Sequence, residues 1–121
     1  MGHGYARPIV GTTPTGTGAH YIILNRYAGD VRIETSVNGT VTDYDVDYTL
    51  DNITFDATAL AAINLQPNAE RVDPTAATWI ATAINASAGA DAEEFSRPVF
   101  ALRVNIIAGT GSVTYRILQT D

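Results

Sequence analysis

An all-β fold, an antiparallel two-sheet sandwich of jelly-roll-like form, is predicted by three observations. Residues 31–50 alternate apolar and polar side chains on either side of Asn38-Gly39. Residues 100–118 do the same around Ala108-Gly109-Thr110-Gly111-Ser112. Turn chemistry and period-2 patterning are independent signals, and at Asn38-Gly39 both select one register.

Residues 1–18 hold five Gly, two Pro and four Thr. Pro8 and Pro14 disfavour helix, so this segment reads as an extended N-terminal arm with a short strand at Pro8–Thr12. The sandwich domain then runs from 19 to 121. His20–Asn25 is a strand whose continuous apolar run implies cover on both faces or beneath a loop. Two strands come next, Val31–Val37 and Thr40–Leu50, read as a hairpin. In that register Val37 faces Thr40, Thr35 faces Thr42, Ile33 faces Tyr44 and Val31 faces Val46.

Residues 52–85 read as an irregular excursion with some helix. Ala57–Ile63 would place Leu60 and Ile63 on one helical face, and Asp73-Pro74 has the form of a helix start. A strand through Thr78–Ile84 is the alternative. Ala86–Ser96, with Asp91, Glu93 and Glu94, reads as a surface loop. The last two strands form a second hairpin. The expected core is Ile33, Tyr44, Val46, Tyr48, Leu102, Val104, Ile106, Val113, Tyr115 and Ile117.

Composition narrows the chemistry. A chain of 121 residues suits one domain with a sizeable core. The absence of cysteine removes thiol catalysis and thiolate metal sites. A net charge of −6 argues against nucleic acid or an anionic membrane as partner. All seven basic residues are Arg, a bias shared by protein interfaces and by GC-rich genomes. Without Lys there is no Schiff base and no Walker-type phosphate loop.

Asp43, Asp45 and Asp47 point one way along a strand, which does not wrap a cation, so a solvated acidic face is expected, with a partner-binding face as the alternative and a metal site the least favoured reading. Glu34 would face Asp43, and Arg32 would face Asp45. His3 and His20 lack partners at zinc spacing. Ser112 is not in a nucleophile elbow. Trp79 is expected to plug one end of the sandwich. No enzyme and no cofactor are expected.

The segments Ile22-Ile23-Leu24-Asn25-Arg26-Tyr27, Val31–Val37, Gly39-Thr40-Val41 and Tyr44–Asp51 resemble small β proteins encoded beside the capsid genes of tailed bacteriophages. So does the ending Arg97–Gln119. Pro74-Thr75 and Trp79 match a connecting loop of that family, although the middle is longer here, at 52–73. The resemblance covers about the last hundred residues. It implies a non-enzymatic virion structural protein, a cement or decoration protein on the outer capsid. Its partners would be the major capsid protein or another virion protein, and it would assemble in the host cytoplasm as a dimer or trimer. Tyr5 and Arg7 in the arm, with Arg103 and Arg116 on the outward face of the last hairpin, are the expected contacts. The alternatives are a neck, tail or fibre-associated protein and a carbohydrate-binding module. An exposed Trp79 with convergent polar groups would favour the last.

Overall fold

The computed structural model describes residues 8–24, 30–51, 53, 73–95 and 99–120. Eight strands run in order: β1 (Ile9–Thr12), β2 (Gly18–Ile23), β3 (Asp30–Asn38), β4 (Val41–Thr49), β5 (Ile80–Ala81), β6 (Asp91–Phe95), β7 (Ala101–Gly109) and β8 (Ser112–Thr120). They form two four-stranded sheets, β1-β8-β3-β6 and β2-β7-β4-β5. Every pairing is antiparallel. This strand order is that of a jelly roll.

The order corrects both expected hairpins. β3 does not pair with β4, nor β7 with β8. β3 pairs with β8, Ile33 opposite Ile117, while β4 pairs with β7, Val46 opposite Val104. Asn38-Gly39 therefore carries the chain from one sheet to the other across the core. Gly39 takes φ +75°, but Asn38 keeps φ negative, so the turn is not the two-residue hairpin type.

The second tight connection lies against the first. The amides of Thr110 and Gly111 both donate to the Thr40 carbonyl, at 2.9 and 2.8 Å. Glycines are required at this crossing. Gly109 has φ +132°, and a Cβ there would stand 2.5 Å from Thr40 O. A Cβ on Gly111 would collide with the Asn38 carbonyl.

Face assignment matches the alternation. Ile33, Tyr44, Val46, Leu102, Val104, Val113 and Ile117 are fully buried between the sheets, joined by Ile106, Tyr115 and Ile84. Tyr48 is half-buried against them. Burying each aliphatic side chain contributes about 1.5–3 kcal/mol. Inside the core the Thr35 and Tyr44 hydroxyls lie 2.6 Å apart, and Tyr44 Oη also donates to the Gly89 carbonyl. That network ties both sheets to the segment preceding β6.

Three other expectations change. Residues 86–96 contain a strand, β6, which pairs with β3 through Val31–Thr35. An edge strand tolerates charge, since its acids stay wet, and Glu94 falls opposite Arg32. β2 alternates instead of being covered on both faces: Ile22 and Leu24 are buried, whereas Ile23 is 51% exposed. Asp73-Pro74 starts one turn only, with the Ala76 and Ala77 amides both donating to Asp73 O. Among the described residues of the excursion there is no helix, and β5 has just two residues. The helix expected at 57–63 lies outside the described residues.

The arm also gains a description in part. Residues Ile9–Thr12, inside the expected short strand, add β1 to the edge of the first sheet.

Candidate functional site

The outer face of the second sheet carries the most developed side-chain cluster. Strand alternation sends Tyr21, Arg103 and Asp47 outward, and the register places them in one row: Tyr21 opposite Arg103, Arg103 opposite Asp47. Arg103 Nε and Nη2 donate to Asp47 Oδ2 at 3.0 and 2.6 Å. The pair is largely withdrawn from water, with side-chain exposures of 25% and 11%. Each ion is tolerated there because the other cancels its charge.

Trp79 lies over this row. The Arg103 guanidinium carbon sits 5.0 Å from the centre of the indole ring. The Tyr21 ring is 5.6 Å away, tilted by 36°. Trp79 Nε1 donates to the Pro74 carbonyl at 2.8 Å.

Local sequence explains why the indole stays in place. Asp73 Oδ1 accepts from the Thr75 amide and hydroxyl, closing a turn that aims the Pro74 carbonyl. These bonds, the hydroxyl's foremost, hold the Asp73 carboxyl below the usual aspartate range. The Thr78 amide donates to Asp51 Oδ2 at 2.6 Å, tying the segment to the end of β4. The arrangement thus offers two half-buried aromatic rings beside a fixed, electrically neutral guanidinium–carboxylate pair.

The residues expected to act together are separated. Arg103 belongs to this cluster. Arg116 lies on the outer face of the first sheet, in register with Val10 and Glu34. The two were expected on one face. Because β7 and β8 belong to different sheets, their outward side chains leave the molecule in opposite directions. Arg116 makes no ion pair among the described residues. Tyr5 and Arg7 lie outside the described residues.

The expected acidic face is also corrected. Asp47 is buried against Arg103, and Asp45 Oδ1 accepts from the Ala86 amide at 2.7 Å. Asp43 is half-buried, and its Oδ1 has no hydrogen-bond partner among the described residues. The segment from Thr82 to Ser87 lies along β4: Tyr44 and Ser87 exchange backbone bonds, and Val46 N donates to Ile84 O. Glu34 faces Arg116 and Ala92, not Asp43, while Arg32 pairs with Glu94, not Asp45. No cluster of three potential metal-ligating side chains occurs among the described residues. Trp79 covers the outer face of a sheet and is not a plug at the sandwich end.

Sequence reasoning passed over Tyr21 and the Asp47 partnership. Alternation alone sends Tyr21 outward once Ile22 is placed inward. The ion pair had no local signal, because β4 and β7 are more than fifty residues apart in sequence.

No protein-family model matches the sequence, and no curated protein matches it. Solved structures do. The chain is similar to YomS, a protein derived from the SPBc2 prophage, with TM-score 0.50 and 12% identity over 100% of this chain and 99% of that one. It also matches the Drosophila NLP core, described for pentamer formation and histone binding, with TM-score 0.37 and 11% identity over 95% and 96% of the chains. A third match is a pilus protein of Bacillus endospore appendages, from a family of disulfide-linked pili, with TM-score 0.40 and 12% identity over 99% and 94%. At these identities the likeness extends to the fold, a β-sandwich that a prophage-derived protein shares along its whole length.

Proposed function

We propose that this chain is a non-enzymatic structural protein of a phage virion, a cement or decoration protein that binds the outer capsid lattice as a dimer or trimer. The observation that carries the reading is the end-to-end likeness to a prophage-derived protein. The match spans 100% of this chain and 99% of that one. The resemblance of the β strands to proteins encoded beside capsid genes supports the same reading. A jelly roll whose consecutive strands cross between sheets is rigid, and rigidity suits a part that bridges subunits. Many copies on a lattice turn modest contacts into firm retention.

In this reading Arg116, exposed and without an ion pair among the described residues, is a contact to the capsid protein. Purified virions test the proposal by mass-spectrometric counting of this chain against the major capsid protein. Hundreds of copies per particle are expected for a cement protein, following the lattice symmetry, and about a dozen for a neck protein. Absence from purified particles overturns the reading.

A further inference from the structure

We infer that Asn38 is a latent modification site, where spontaneous deamidation at Asn38-Gly39 is held back in the folded chain by the Thr114 and Ser112 hydroxyls. The inference concerns the chain itself and does not rest on a virion role.

The dipeptide has the chemistry for the reaction. The backbone nitrogen of Gly39 attacks Asn38 Cγ and closes a five-membered imide. Nδ2 leaves as ammonia, taking up the proton that the Gly39 nitrogen gives up. One water then opens the ring. Opening at the side-chain carbonyl leaves aspartate, and opening at the backbone carbonyl leaves isoaspartate, whose main chain runs through Cβ. Closure is fastest before glycine, because no side chain shields the attacking nitrogen. Asn38 is the one asparagine of the sequence that precedes a glycine. Both residues are exposed to water, and the Gly39 amide donates no hydrogen bond among the described residues.

The fold opposes ring closure in two ways. Asn38 is the last residue of β3. A strand residue has a ψ of about +135°, which turns the following amide away from its own Cβ, whereas the imide needs the two on one side. The side chain is diverted as well. Asn38 lies opposite Ser112, and its Nδ2 donates to Thr114 Oγ1 at 2.6 Å and to Ser112 Oγ at 3.4 Å. The carboxamide is thus tied to β8 and not to its own backbone. Thr114 Oγ1 in turn lies 3.0 Å from Thr12 Oγ1 on β1, so the lock spans three strands of the first sheet.

The position makes the lock matter. Isoaspartate adds a methylene to the main chain at the crossing between the sheets. There Gly111 packs so closely that a Cβ on it would collide with the Asn38 carbonyl.

The full chain is incubated in mildly alkaline buffer at physiological temperature, and fragmentation mass spectrometry follows aspartate and isoaspartate at residue 38 over days. The folded chain is expected to react about tenfold more slowly, or slower still, than the same chain kept unfolded in urea. This comparison needs no variant. Thr114→Val, first shown by circular dichroism to be folded during the incubation, is expected to react about fivefold faster than wild type. Thr114→Ser restores the hydroxyl and is expected to return the rate to that of wild type. Three results overturn the inference: equal rates in the folded and unfolded chains, a Thr114→Val rate no higher than wild type, or a Thr114→Ser rate as high as that of Thr114→Val.

Discussion

The two outer faces of the sandwich use the same residue types to opposite ends. On the first sheet Arg32, Glu34 and Glu94 form ion pairs whose side chains are 46–67% exposed. On the second sheet Arg103 and Asp47 form a pair that is mostly buried and roofed by an indole. The difference arises from the neighbours that each strand acquires. β3 is flanked by regular strands that leave its outer face to solvent. β4 is succeeded, after the segment that leads to Asp73, by a stretch that returns along its edge and brings Trp79 over its outer face. Formal charge therefore says little about a surface until its cover is known. An arginine on the first face is screened by water, and one on the second is structural.

The comparison is most easily broken at Asp47. Asp47→Ala leaves the Arg103 guanidinium largely withdrawn from water without its carboxylate. A fully buried pair loses about 3–5 kcal/mol on such a change; residual access to solvent reduces this to about 2–3 kcal/mol. Urea denaturation should show that loss, nearly independent of salt. A midpoint matching wild type would mean that the second face is as wet as the first.

Trp79→Ala comes next. The indole is half-buried, so its removal should cost about 2 kcal/mol, below the range for core aromatics. It should also leave Arg103 more exposed and its pairing with Asp47 more sensitive to salt. Thermal melts at low and high ionic strength measure both effects.

A smaller effect is expected on the first face. Glu94 raises the Arg32 pKa by hydrogen bonding and by charge, yet the guanidinium is open to solvent. Arg32→Ala should shift the melting temperature too little to separate from scatter, and added salt should erase any difference. A loss comparable to that of Asp47→Ala would remove the distinction between the faces.

The same contrast explains which features were legible in the sequence. Alternation placed Ile33, Tyr44, Val46, Leu102, Val104, Val113 and Ile117 inward, because inward and outward are local properties of a strand. It could not name hydrogen-bonding partners. Two strands joined by a tight turn bury the same residues whether they pair edge to edge or face each other across a core. The contact of the Gly109–Gly111 turn with Asn38-Gly39, which marks the crossing, joins positions about 70 residues apart, and no local pattern signals it. Arg103 was legible as outward-facing, and for the same reason its pairing with Asp47 was not. Asp91–Phe95 escaped because three acids in five residues suppress β propensity, which an edge position beside Arg32 offsets. The Trp79 roof depends on the Asp73 turn and on the Asp51 tie, neither of which periodicity detects.

That turn gives the finest test of the comparison. Thr75 holds the Asp73 carboxyl in its charged form, below its ordinary value of 3.8. When the folded value lies below the unfolded one, the contribution is complete above the unfolded pKa and is lost as pH falls through the folded one. The Pro74 carbonyl, and with it the Trp79 anchor, should therefore stay in place from neutrality down to about pH 4 and loosen only in stronger acid. A comparison with a variant at Asp73 alone assigns any change in emission to this carboxylate. Asp73→Asn keeps an acceptor for Thr75 and removes the titration, which isolates the contribution of this one carboxylate. The two emission curves should coincide above about pH 4 and part below it, with the variant's anchor the more persistent. Curves that diverge already near neutrality would mean that the carboxylate is not held by Thr75, and that the roof over the second face rests on Asp51 and the indole's own contacts.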